Sequence, residues 1–215
     1  NHPVEMGLPM LHLMNAGFGI DVVTLTGAPV AIEEWAMPAE DADVKRLYRD
    51  YANAFANPGS LADFVANKMD DAVSYAAVYI PGGHGAMLGL PESADVGKVL
   101  HWAHDNDLFT LALCHGPAAL LAAKNEEGFL YGGYKMTVFP DAVDKQTPMI
   151  GYLPGPMPWW VCEKLNALGV ETINKTADNS VHVDRHLVTG ASPKAANDFG
   201  RLSATTLLKA AKANS

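Results

Sequence analysis

The sequence predicts an α/β protein in which a doubly wound, mostly parallel sheet lies between layers of helices. Two observations carry this. Short apolar runs rich in β-branched residues recur along the chain, several without clean alternation, as strands covered on both faces do. Between them lie stretches with helical periodicity. A third observation is more local: "TLALCHGPAALLAA", residues 110–123, runs an apolar strand into a cysteine, turns at His115, Gly116 and Pro117, and starts an Ala/Leu helix at once. That strand–turn–helix junction puts a side chain at the carboxyl end of a strand, where open α/β sheets bind ligands.

The elements follow in order. Residues 3–16 form an amphipathic helix, with Val4, Leu8, Leu11 and Leu13 at near-helical spacing and Gly17 closing it. In an α/β protein such a helix follows a strand, so upstream residues of a longer chain are expected to be absent here. A strand is predicted at 20–25. The section 28–70 holds Trp35, Pro38 and two helices, 41–55 and 60–68, capped by Asp41 and Ser60. It reads as an inserted cap subdomain over the sheet edge, within one domain spanning 1–215. Strands at 75–80, 109–113, 135–139, 170–173 and 186–189 alternate with helices at 93–106, 116–124, 158–168 and 193–211. Gly169 closes the helix before it, and Ser192 caps the last one. "HVD" at 182–184 carries no signal.

Composition narrows the function. The 215 residues are 49% hydrophobic, enough for one large core. With a net charge of −9 and no Lys/Arg cluster, the chain has no basic face for a nucleic-acid scaffold or an anionic membrane. No apolar run approaches the about 20 residues of a membrane span. Two cysteines, Cys114 and Cys162, make neither a disulfide framework nor a C-x-x-C zinc pattern, which fits a cytoplasmic location with reduced thiols.

Cys114 is the leading candidate for chemistry. The junction around it has the geometry of a nucleophile elbow with Cys in place of Ser. The following helix would direct its dipole and free N–H groups at the sulfur, so an exposed, activated thiolate is expected. "PGGHGA" at 81–86 follows a strand, and its paired glycines can leave N–H groups free. The amides of Gly83 and His115 are therefore candidates for an oxyanion hole. His115 can fold back beside the thiol, and "FPDAVDK" at 139–145 offers Asp141 or Asp144 to hold it, which would make a Cys–His–Asp triad. Glu5, in the first helix, would have a raised pKa if partly buried near the thiol and could shuttle a proton. Cys162 lies within helix 158–168 and is expected to be packing. His101 and His104, with Asp105 or Asp107, could ligate zinc but read better as a solvent-facing stripe.

Seven stretches in order, "NHPVE", "EEWAMP", "NPGSLADFV", "VYIPGGHGAMLGLPESADV", "ALCHGPAAL", "VFPDAVDKQTPMIGYLPG" and "LVTGASPKAAN", resemble the bacterial heat-shock protein 31 branch of the ThiJ/PfpI superfamily along essentially the whole chain. The inserted section is part of the match. The resemblance implies a flavodoxin-like sandwich and a homodimer. It implies Cys114 as nucleophile with His115 and Asp144 as partners, Glu5 as acid/base, and an oxyanion hole at Gly83 and His115. Asp144 is implied over Asp141. The branch is described as glutathione-independent glyoxalases that turn methylglyoxal into D-lactate, as protein and nucleotide deglycases, and as holding chaperones. Small aldehydes, glycated proteins and unfolded proteins are thus the implied partners, and no cofactor is needed. Some members carry a two-His, one-carboxylate metal site; the matching positions here are Met14, Gly19 and about Tyr51, so no metal is expected there. Members also have a first core strand ahead of "NHPVE", which would be missing from this chain.

Other function classes remain open on the residues. Trp35, Phe55 and Phe64 in the inserted section could expose apolar surface for a primary holding chaperone. A Cys–His–Asp set also permits a cysteine amidase or peptidase, although a capped pocket would exclude a peptide. A glutamine amidotransferase shares the elbow but expects a late His-x-Glu pair, for which "HVD" is a poor substitute.

Overall fold

The computed structural model describes residues 1–213. In chain order the elements are α1 (Pro3–Asn15), β1 (Val23–Thr24), α2 (Ala42–Asp50), α3 (Ala52–Ala56), β2 (Gly59–Ser60), α4 (Leu61–Asn67), β3 (Ala77–Ile80), α5 (Ala94–Asp105), β4 (Phe109–Leu113), β5 (Lys124–Asn125), β6 (Gly128–Phe129), β7 (Lys135–Met136), α6 (Asp141–Asp144), α7 (Val161–Ala167), β8 (Glu171–Thr172), β9 (Val181–Asp184), β10 (Leu187–Gly190) and α8 (Ala196–Ala213). The central sheet runs β3-β4-β10-β9. Its first three strands are parallel, with Val78 beside Thr110 and Leu111 beside Val188. Only β9 is antiparallel, paired with β10 through a hairpin in which Arg185 takes a φ of +52°. This is a parallel-dominated α/β sheet, as predicted.

Strand β4 shows why the sheet needs helices on both sides. Successive side chains point to opposite faces. Phe109, Leu111 and Leu113 pack with Leu13 of α1 and Phe199 and Leu207 of α8. Ala112, from the alternate register, packs with Leu100 of α5, Ala119 and Leu165 of α7. A strand buried on both faces has no solvent side to alternate with, which explains its mostly apolar run; the one polar residue, Thr110, is buried with its hydroxyl 3.0 Å from the Tyr131 hydroxyl.

Several predicted elements are shorter than expected. The runs 20–25, 135–139 and 170–173 contribute only two-residue ladders outside the central sheet: β1 pairs with β2, and β7 with β8. After Met136 the backbone donors go to other partners: Thr137 N–H to Thr189 Oγ1 at 2.9 Å, Val138 N–H to Asn174 Oδ1 at 2.9 Å, and Phe139 N–H to the Cys114 carbonyl at 2.9 Å. The predicted helix 41–55 breaks at Tyr51, where ψ is 5°. Residues 116–123 wind as a 3₁₀ helix rather than an α-helix. The segment containing "HVD", read as featureless, is strand β9.

The caps are as expected. Asp41 accepts from Val44 N–H at 2.9 Å, Ser60 from Asp63 N–H at 3.1 Å, and Ser192 from Lys194 N–H at 3.2 Å. Gly17 and Gly169 follow their helices with φ of +93° and +88°, left-handed values that favour glycine. Within 28–70 the elements pack in two places. Leu47 and Phe55 meet Met6 and Met10 of α1, while Leu61 and Phe64 join the core around Trp102. No helix among the described residues is long and apolar enough to cross a membrane.

Candidate active site

The site forms where the carboxyl ends of β3 and β4 meet the first turn of α1. Cys114 follows β4 with a φ of +62°, a left-handed value rare for a residue with a side chain. Its N–H donates to the Gly190 carbonyl at 2.8 Å and its carbonyl accepts from Phe139, so the strained residue is pinned on both sides. The turn then packs tightly: a Cβ on Gly116 would lie 2.5 Å from the Ile80 carbonyl oxygen. The two glycines after β3 are required by equally close approaches. A Cβ on Gly82 would lie 2.1 Å from a Glu5 carboxylate oxygen and 2.7 Å from Cys114 Cβ. Gly83 has a φ of +100°, and a Cβ there would fall 2.8 Å from the His2 backbone nitrogen.

Glu5, Gly83, Cys114, His115 and Asp144 are brought together. Cys114 Sγ lies 3.3 Å from His115 Nδ1, and His115 Nε2 lies 2.7 Å from Asp144 Oδ2. Glu5, in the first turn of α1, is fully buried beside Cys114, and its backbone carbonyl accepts from the Tyr79 hydroxyl. The Gly83 and His115 amides act on the sulfur and draw its pKa down. Asp141 is placed elsewhere: its two oxygens accept from Cys162 N–H and Glu163 N–H, each at 2.9 Å, and so cap α7. Cys162 is half-buried against the Phe139 carbonyl, and burial pushes its thiol up to about 12. His104 lies 3.4 Å from Asp105, and Asp107 lies 3.9 Å from His186, exposed pairs on the surface.

One expectation is corrected. Cys114 is 3% exposed, not open to solvent. Burial raises its pKa well above that of a free thiol, and the nearby Glu5 charge raises it further. The cause is structural: the sulfur is buried beside the Glu5 carboxyl of α1. Glu5 shifts the same way. Burial pushes its carboxyl up to about 8; the Cys114 thiol and Gly83 amide pull it back, while the Glu33 charge pushes it further. Neither Glu5 oxygen has a hydrogen-bond partner of standard geometry. Against the cost of its own burial, hydrogen bonds from His115 and His84 hold the Asp144 carboxyl below its usual value. Burial lowers the His115 pKa, opposed by Asp144. The resting site is therefore a neutral thiol facing a neutral carboxylic acid, with a neutral imidazole held by a carboxylate.

Sequence reasoning missed four neighbours. His84 Nε2 lies 2.9 Å from Asp144 Oδ1. Glu33 Oε1 is 3.2 Å from the position of a Gly83 Cβ. The Tyr152 ring is 5.7 Å from His84 and 5.1 Å, edge-on, from Trp35. The signal for His84 was present in "PGGHGA", where only the glycines were weighed; Glu33 and Trp35 stand together in "EEWAMP". His84, His115 and Asp144 also offer three ligand atoms within 4.8 Å of one another, a cluster able to approach a cation. At Met14, Gly19 and Tyr51 the side chains provide no imidazole or carboxylate. A surface hollow over Met69, His101, Trp102 and Asp105 shares no lining residue with this site, and no cysteine or serine lines it.

Comparison with known proteins gives the same placement. The sequence model of the DJ-1/PfpI family matches residues 2–206. The chain is 48% identical over 210 residues to an Escherichia coli protein named protein/nucleic acid deglycase HchA, covering 98% of this chain and 74% of that protein. In fold it is similar to the Francisella tularensis rapid encystment protein of 24 kDa, with a TM-score of 0.82 and 22% identity over 95% of this chain and 88% of that one. It is similar as well to a glyoxalase III from Candida albicans, with a TM-score of 0.75 and 21% identity over 94% of this chain and 86% of that one. A strained cysteine elbow on a parallel sheet, a family match over nearly every residue and close identity to one of its members have one explanation: the chain belongs to the DJ-1/PfpI family.

Proposed function

We propose that the chain is a cysteine-dependent deglycase and glutathione-independent glyoxalase acting on methylglyoxal and on the early adducts it forms. The observation that carries this is the pairing of Cys114 with a fully buried Glu5 raised to about 8. A nucleophile that forms and breaks one acyl bond needs only His115 and Asp144. Isomerisation of a bound 2-oxoaldehyde needs in addition a carboxyl group that can give and take a proton near neutral pH. The 48% identity to a protein named as a deglycase supports the same reading.

The chemistry follows from the geometry. The Cys114 sulfur adds to the aldehyde carbon, forming a C–S bond, and the thiol proton passes to the new alkoxide. Glu5 as carboxylate takes the proton from that carbon, the hydroxyl proton passes to the former ketone oxygen, and Glu5 returns its proton to the neighbouring carbon, through an enediol-like intermediate. The C–S unit is now a lactoyl thioester. Water attacks it, the C–S bond breaks, and lactate leaves with the thiol restored. The sum is methylglyoxal plus water to lactate, with no external oxidant or reductant. The Gly83 and His115 amides stabilise each oxyanion. Deglycation uses the same first attack, at the carbon bearing the adduct. No step calls for an organic cofactor.

The test is D-lactate formation from methylglyoxal without glutathione, with Cys114→Ala as control. Lactate that depends on Cys114 is the expected result; equal lactate from the variant refutes the mechanism. A second reading, a holding chaperone, is favoured by one observation: Trp35, Met149, Ile150 and Tyr152 are exposed by 67, 84, 75 and 40%. Of the three residues first considered for this role only Trp35 is exposed; Phe55 and Phe64 are buried. Suppression of client aggregation that survives Cys114→Ala would assign this role separately. A cytoplasmic homodimer is proposed for either reading.

A further inference from the structure

Asp144 is a carboxylate shared by two imidazoles. It is 1% exposed, and a buried carboxylate with one oxygen unpaired is costly. Here Oδ2 meets His115 Nε2 at 2.7 Å and Oδ1 meets His84 Nε2 at 2.9 Å. Two partners, one on each oxygen, fix the plane of the carboxylate. That plane decides what His115 can do. When Asp144 accepts a hydrogen bond from His115 Nε2–H, the other ring nitrogen, Nδ1, is left as a bare acceptor, 3.3 Å from Cys114 Sγ. In the reverse tautomer Nδ1 would carry the hydrogen and could not take the thiol proton.

His84 also clamps the ring of His115. The two ring centroids are 4.1 Å apart, and Phe139 stacks near His115 at 4.7 Å with an interplanar angle of 27°. The His84 side chain is 17% exposed, while Cys114, Glu5, His115 and Asp144 are between 0 and 3% exposed. It follows Gly83 directly, so one short turn provides both an amide facing the sulfur and the second hold on Asp144.

We propose that His84 is a positioning residue of the active site, acting through Asp144 to keep His115 in the tautomer that presents a bare Nδ1 to Cys114. The inference rests on Cys114 being the nucleophile of the proposed reaction. It assigns a role to the third residue of "GGHG", for which the triad alone has no use.

The test compares wild type, His84→Ala and His84→Gln, whose amide N–H reaches toward Asp144 but does not titrate. Two readouts need no substrate: the side-chain ¹⁵N resonances of His115, which report its tautomer, and the rate of Cys114 alkylation by iodoacetamide. The third is methylglyoxal turnover. In wild type, His115 is expected as a single Nε2–H tautomer. His84→Ala should mix the tautomers, slow alkylation about tenfold and lower kcat by about 10- to 100-fold with KM within about twofold. Imidazole should restore alkylation and kcat saturably, since the partial exposure of His84 gives it access. His84→Gln should keep the wild-type tautomer and most of the alkylation rate. An unchanged His115 spectrum with alkylation within about twofold in His84→Ala overturns the proposal. So does a loss that neither imidazole nor His84→Gln restores, which would be a packing defect. If wild type makes no lactate, the proposed function fails while the two substrate-free readouts still decide the role of His84.

Discussion

Glu5 and Cys114 are the residues on which the proposed chemistry turns, and their protonation should be visible in rate. Both are pushed upward by burial, and they face one another, so their protons leave as a coupled pair. Below about 8 Glu5 keeps its proton and cannot serve as the base of the isomerisation. We expect kcat/KM for methylglyoxal to rise tenfold per pH unit below that value and level off above it. Glu5→Gln should abolish turnover while leaving Cys114 open to alkylation, which separates the isomerisation from the first attack. A Glu5→Gln protein that still makes lactate would show that another group moves the proton. Asp144→Asn should cost about 10²-fold or more in kcat by removing the charge that orients His115.

At the scale of elements, the site depends on the turn after β3 more than on any helix. Gly82 is there because nothing larger fits between Glu5 and Cys114. In Gly82→Ala the added carbon, 2.1 Å from a Glu5 oxygen, must displace the carboxyl group or the strand end. A shift near 1 Å costs about 10²-fold in rate, and overpacking of this kind costs about 1–3 kcal/mol of stability. Measured kcat and the denaturant midpoint should show both; wild-type rate in a folded Gly82→Ala protein would mean that Glu5 has room the structure does not show. The caps are simpler. Ser60→Ala removes the acceptor for Asp63 N–H at the start of α4 and should cost about 1 kcal/mol without changing kcat. The inner face of α4 meets Trp102, and there Phe64→Ala should cost about 3–5 kcal/mol, because Phe64 and Tyr75 both stand edge-on to that ring.

For the whole molecule, the buried acid makes stability depend on pH. The folded-state pKa of Glu5 is about 8 against 4.5 for an unperturbed group, so the folded chain holds this proton more tightly than the unfolded one. A raised pKa contributes stability that is complete at low pH and is lost as pH rises from 4.5 through about 8. The loss is on the order of a few kcal/mol. Asp144 has the opposite sign: its lowered pKa contributes stability above its usual value of 3.8, lost as the pH falls below that. We expect Glu5→Gln to melt above wild type at pH 9, with the gap closing toward pH 4. Equal melting temperatures at both values would show that Glu5 is solvated in the folded protein.

Much of this protein could be read from its sequence. Apolar runs separated by helical periods determine a sheet covered on both sides, and "TLALCHGPAALLAA" determines an elbow, because a strand that turns on Gly-Pro leaves its last side chain at the carboxyl end of the sheet. Capping at Asp41, Ser60 and Ser192 was equally legible, since a cap is a contact within two or three residues. The misreadings share a cause. Whether 135–139 pairs as a strand depends on Thr189 and Asn174, 52 and 36 residues away. The second partner of Asp144 arrives from residue 84, and the burial that neutralises Cys114 comes from α1 at the other end of the chain. Pattern within a window picks out the candidate site residues. Only the tertiary structure decided their protonation, because desolvation and charge coupling act through space between segments far apart in sequence.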